Sequence, residues 1–119
     1  MALEATLVKI GQLQSKYQEV AQNSNELNTK ARDIQNELAA LQSYLQKNCN
    51  DKVAKQKYNR CQQEISRIRM QLSHNDTMLA KYNRQLTIEN QRVAEYQYRQ
   101  QVKYNNQIIK QQQKMMRSW

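Results

Sequence analysis

Side chains able to do chemistry are few in this chain and poorly spaced for it. There is one histidine, His74, and there are two cysteines, Cys49 and Cys61. No His/Cys group has metal-ligand spacing, no glycine-rich loop could cradle a phosphate, and no nucleophile has a base at a matching position. Carboxylates such as Glu19 and Glu26 read as solvated positions on a helix face. His74 reads as an exposed polar residue rather than a ligand or a pH switch. An enzyme is therefore not expected, nor is a cofactor or a bound metal. The chemistry left is that of contact, through cations and aromatics that can meet a partner.

Two stretches hold such residues. Lys52, Lys55, Lys57 and Arg60 form a basic cluster, followed by Arg67 and Arg69. The last 23 residues, 97–119, contain Arg99, Lys103, Lys110, Lys114 and Arg117 and no acid. They also contain Tyr98, Val102, Tyr104, Ile108, Ile109, Met115, Met116 and Trp119. Aromatics mixed with Arg and Met are what protein interfaces enrich. The candidate partner-binding residues are thus Tyr98, Arg99, Lys103, Tyr104, Lys110, Lys114, Arg117 and Trp119 at one end, and Lys52, Lys55, Lys57 and Arg60 at the other. The bland alternatives are a solvated face that keeps a polar rod dispersed and a chain end without order.

The charge distribution points the same way. The formal charge is +9; residues 1–47 carry five cations and five acids, whereas residues 48–119 carry fourteen and five. An excess confined to one half of the chain suits an acidic protein surface, nucleic acid or an anionic membrane. No recognised nucleic-acid-binding motif accompanies it.

The elements that must position these residues are legible from periodicity. With no proline, one glycine and 32 Gln or Asn residues, strands and turns have little punctuation and a broad core has little material. A narrow helical seam needs less. Leu27, Ala31, Ile34, Leu38, Leu41 and Leu45 follow a strict 4-3 apolar spacing. A second series, Ala54, Tyr58, Cys61, Ile65, Ile68 and Leu72, begins in a different phase across Lys47–Lys52. That break predicts an all-α fold: a long antiparallel two-helix coiled-coil hairpin over residues 1–119. Its first helix is expected at about 3–46, its turn at 47–52 and its second helix at about 53–117.

Upstream, Leu3, Leu7, Ile10, Leu13, Tyr17, Val20 and Ser24 continue the first seam. One step of three, Ile10 to Leu13, breaks the alternation next to Gly11, where a bend or weak point is expected. Downstream, Asn75, Leu79, Tyr82, Leu86, Glu89, Val93 and Tyr96 continue the second. Ser73–Asp76 holds poor helix formers and could be a second turn, giving a three-helix bundle. The phase survives across it, which favours one continuous helix.

Folded back, facing seam residues have numbers that sum to about 99. This puts Ser24 opposite Asn75, the polar seam residues in the middle of each arm, where they can satisfy each other and fix register. Pairing then ends near Leu3 and Tyr96. Residues 97–119 are left as a helical overhang of about 34 Å, marginal alone and expected to order against a partner.

Cys61 in the seam lies about three helical turns, roughly 15 Å, along the helix from Cys49 in the turn, too far for a disulfide, so a reduced, cytoplasmic setting is expected. Met1–Leu13 lacks the pattern of a signal peptide, and no stretch has the ~18 apolar residues of a membrane span.

A small, basic, Gln-rich hairpin whose C-terminal helix runs past its N-terminus resembles the FliJ/YscO stalk family of flagellar and type III secretion systems. That resemblance implies a stalk set in the pore of a hexameric protein-export ATPase. It places Arg99, Lys103, Lys110, Lys114 and Arg117 at the ring, and Lys52, Lys55, Lys57 and Arg60 at an export-gate protein. The expected function is a non-enzymatic stalk or adaptor, as monomer or homodimer. The alternatives are a nucleic-acid-binding module, and a secretion chaperone or scaffold in which the tail completes a dimeric four-helix bundle.

Overall fold

The computed structural model describes residues 2–118. It contains two long helices, α1 (Ala2–Lys47) and α2 (Lys52–Arg117), and no strand among the described residues. α2 passes through Ser73–Asp76 without interruption, so those residues are not a turn. Their weak helix propensity is outweighed by the packing of Leu72 just before them and the cross-helix bonds of Asn75 among them. By packing, the chain divides into two units, Lys16–Tyr82 and the remainder (Met1–Ser15 with Asn83–Trp119).

In the unit Lys16–Tyr82 the helices are joined by Asn48–Asp51. α1 ends with the Asn48 amide donating to the Tyr44 carbonyl (3.0 Å), which also accepts from Asn48 Nδ2 (3.2 Å). Asp51 starts α2 as its N-cap: Oδ1 accepts from the Ala54 amide at 3.1 Å and the Asp51 carbonyl from the Lys55 amide at 3.1 Å. The second is the first ordinary bond of the helix, and the first satisfies an amide that a helix start otherwise leaves open. The other carboxylate oxygen, Oδ2, accepts from the Tyr44 hydroxyl at 2.7 Å, which ties the last turn of α1 to the first residue before α2.

Beyond the turn, Leu27, Ile34, Cys61, Ile65 and Ile68 are buried together, with Ala31, Leu38, Leu41 and Leu72 packed against them. Each lies in the seam phase of its helix, because a 4-3 spacing keeps one stripe facing the partner helix. None of the large described side chains falls below 2% exposure. Two helices alone cannot enclose a residue on all sides, so this core is a strip. Toward the far end of this unit Asn75 Nδ2 donates to Ser24 Oγ at 3.1 Å and to Asn23 Oδ1 at 2.9 Å. The polar layer expected between Ser24 and Asn75 is therefore present, and Asn23 joins it.

In the other unit the seam of α1 differs from expectation. Leu7 is 50% exposed, whereas Leu3, Thr6 and Ile10 are half-buried and Leu13 is buried. The series Leu3, Thr6, Ile10, Leu13, Tyr17 alternates three and four without a fault. Reading Leu7 into the seam created an irregularity that the helix does not contain. Helical phase decides which residue faces inward, and it selects Thr6 over its more apolar neighbour. α1 runs unbroken through Gly11, where an added Cβ would meet nothing within 4 Å.

Candidate protein-contact surfaces

Lys52, Lys55, Lys57 and Arg60 are all exposed in the first turns of α2. At about 100° per residue they spread over roughly 200° of the helix, most of the arc that Ala54, Tyr58 and Cys61 leave free. They make a basic collar instead of a single face. Lys52 and Lys55 sit where the positive end of the helix dipole disfavours cations, and the first turn of α2 contains no acid. Asp51 offsets part of this. Its carboxyl is held below the usual carboxylate range, first by the Tyr44 hydroxyl, then by the Ala54 amide, with a smaller contribution from Lys57. The same bond raises the Tyr44 phenol above its usual value. Tyr44 belongs to neither seam, and no periodicity marks it; its role shows only once the turn brings it to Asp51.

The second surface is the end of α2. Burial along the seam stops at Tyr96, and from residue 97 through Arg117 every residue is exposed except Ile108, which is half-buried. Leu3 and Thr6 of α1 lie in one shallow depression with Arg92, Glu95, Tyr96 and Arg99, so the last paired layer sits at the start of α1. Continuing the seam phase past Tyr96 gives Gln100, Lys103, Gln107, Lys110, Lys114 and Arg117. The stripe that is apolar where α1 covers it thus becomes basic and amide-bearing beyond. Arg99, Lys103, Lys110, Lys114 and Arg117 all fall within an arc of about 60°. Tyr98, at 69% exposure, and Tyr104, at 63%, lie outside that arc. Trp119 is outside the described residues.

Glu89 is a further candidate that periodicity alone does not distinguish. Glu89 continues the seam phase between Leu86 and Val93, and it is the only polar or charged residue that is buried among those described, at 3% exposure. Its Oε1 lies 3.2 Å from Lys9 Nζ and 3.0 Å from the Arg92 guanidinium. Its Oε2 has no hydrogen-bond partner. The signal was available, since a carboxylate in an apolar phase demands an explanation. His74 is exposed, as read from the sequence. Cys49 and Cys61 are both free thiols, the first exposed and the second buried. Burial, followed by the nearby Glu37 carboxylate, raises the Cys61 thiol above its usual value.

No described helix is long and apolar enough to cross a membrane. Comparison with family models, with curated proteins and with solved structures gives no match to this chain.

Proposed function

We propose that the two helices form a long antiparallel coiled-coil hairpin with a C-terminal overhang, and that it serves as a non-enzymatic stalk or adaptor. On this reading it binds and stimulates a hexameric protein-export ATPase of a flagellar or type III secretion system in the cytoplasm. The observation carrying the proposal is that α2 stays helical to Arg117, although every residue from 97 to Arg117 except Ile108 is exposed. A lone helix rich in Gln and Asn has little reason to be maintained except to meet a partner. Five cations aligned on one stripe, with no acid, suit an acidic surface on that partner. A rod touching several ring subunits unequally can bias their conformational cycle without chemistry of its own. The basic collar at Lys52–Arg60 supplies a second contact, assigned by the family resemblance to an export-gate protein.

The test is ATPase stimulation. The purified chain raises turnover of its cognate export ATPase, and Lys110→Glu with Lys114→Glu lowers that effect. Absence of both stimulation and co-purification would falsify the stalk reading.

The fourteen cations against five acids in residues 48–119 favour nucleic-acid binding as a second reading. Affinity would then fall steeply with salt, because displaced counterions drive it. Gel shifts without any retarded species at low salt eliminate it.

A further inference from the structure

The overhang carries more than charge. With Val102 as the origin and about 100° per residue, the apolar residues Tyr98, Val102, Ile109 and Met116 fall in one arc, and Tyr104, Ile108 and Met115 in a neighbouring one. Together they occupy about 160° of the helix, on the half opposite the five cations. Six of these seven are exposed, Met116 to 78% and Ile109 to 50%. Between the two arcs, along the centre of that half, lie Gln101, Asn105 and Gln112, also exposed. The seam that pairs with α1 continues into the basic half, so the apolar half faces away from the side on which α1 lies at Leu3 and Tyr96.

Three occupants could cover an apolar half of this kind, and the amides discriminate among them. A lipid surface would bury Gln101, Asn105 and Gln112 in hydrocarbon, where no group can satisfy them and each is costly. A second overhang would cover the apolar half but leave both basic stripes facing outward with nothing to meet them, because residues 97–119 of either copy contain no acid. A protein groove can bond side-chain amides while covering Tyr, Ile and Met. Polar positions among apolar ones are also how such contacts acquire a fixed register.

We propose that residues 98–116 are a two-sided docking helix held in a cleft of a partner protein. One wall of the cleft is apolar with hydrogen-bonding groups opposite Gln101, Asn105 and Gln112; the facing wall is acidic and meets Arg99, Lys103 and Lys110. The helix is contacted along about 27 Å. This deepens the stalk reading and rests on it for the identity of the partner, while the chemistry of the two walls follows from the helix alone. The apolar wall supplies affinity that salt does not weaken, and the acidic wall supplies steering that salt screens.

The experiment places a photo-crosslinking residue, p-benzoylphenylalanine, in the full-length chain within its host cells. It replaces Ile109 or Val102 on one half and Lys103 or Lys110 on the other, one site per variant. The expected result is protein adducts from both halves, mapping to two walls of the same partner, with acidic residues flanking the adducts from the basic half only. With that partner purified, Ile109→Ser weakens binding at least tenfold at low and high salt alike. Lys103→Gln with Lys110→Gln weakens it at low salt, and the difference fades as salt rises. Adducts from one half only, adducts to lipid or nucleic acid, or none at any of the four sites overturn the proposal. If both walls belong to a protein other than an export ATPase, the docking helix stands and the stalk reading falls. If an export ATPase is reached from one half alone, the stalk reading stands and the cleft falls.

Discussion

Lys9 Nζ approaches Oε1 of Glu89 to 3.2 Å, joining a lysine that is half in solvent to a carboxylate almost wholly withdrawn from it. The pair is unequal. Lys9 keeps much of its hydration, whereas Glu89 has given up its own and leaves Oε2 with no bond. A buried charge held this way contributes specificity more readily than stability. It penalises any arrangement of Met1–Ser15 against α2 that separates Lys9 from Glu89.

Opposite signs are therefore expected from changing the two residues. Lys9→Ala leaves the buried carboxylate with Arg92 alone and destabilises by about 1–3 kcal/mol. Glu89→Leu removes the unsatisfied oxygen and extends the apolar strip between Leu86 and Val93. It is expected to be neutral or stabilising, by up to about 2 kcal/mol. Urea unfolding of both variants and the double mutant decides this. Equal destabilisation by Lys9→Ala and Glu89→Leu contradicts the account.

The layer of Ser24, Asn23 and Asn75 is expected to set register in the other unit. With Cys49→Ser, a cysteine at Leu38 should oxidise readily with Cys61, its expected seam neighbour. A cysteine at Ala31 reports a slip of seven residues. Asn75→Leu removes the penalty on slipped pairings, about 1–3 kcal/mol per group left unbonded. The Ala31 reporter is then expected to gain disulfide at the expense of the Leu38 reporter. Unchanged yields mean the layer does not set register.

The link from Tyr44 to Asp51 makes the turn sensitive at both extremes of pH. Asp51 is depressed in the folded chain, so its contribution is complete above the usual carboxylate range and is lost as pH falls through the depressed value. Tyr44 is raised, so its contribution is complete below the ordinary tyrosine value and is lost as pH rises through the raised one. Amide exchange at Val53 and Ala54 should be slowest at neutral pH relative to the intrinsic rate, and should quicken at either end. Tyr44→Phe abolishes the alkaline loss and reduces the acid one. A flat protection profile in the parent chain rejects the coupling.

The two thiols should separate by reactivity. Cys49 is exposed in the turn and is expected to react with a maleimide at the rate of a free thiol. Cys61 is buried, and its raised thiol keeps little thiolate. Because the thiolate is the reacting form, its modification should be at least tenfold slower in native conditions. It should match Cys49 in denaturant. Equal native rates would show that the seam opens at Cys61.

Much of this protein follows from sequence because its helices are long and their partners close. Two 4-3 patterns out of phase across Lys47–Lys52 determined two helices and a short turn, and the cation count determined which half would be basic. Ser24 and Asn75 were legible as a pair because a short turn leaves few registers to consider. Leu7 misled, since hydrophobicity marks a residue that could be buried, and only the continued phase of a packed helix shows that Thr6 takes the place. Glu89 was visible in phase but not in fate, because burial of a charge depends on whether Lys9 and Arg92 can reach it. Tyr44 carried no pattern at all; its bond to Asp51 exists only where the turn brings α1 and α2 together. Periodicity is a property of one helix and can be read from it. Contact between two helices depends on both, and that part the tertiary structure decided.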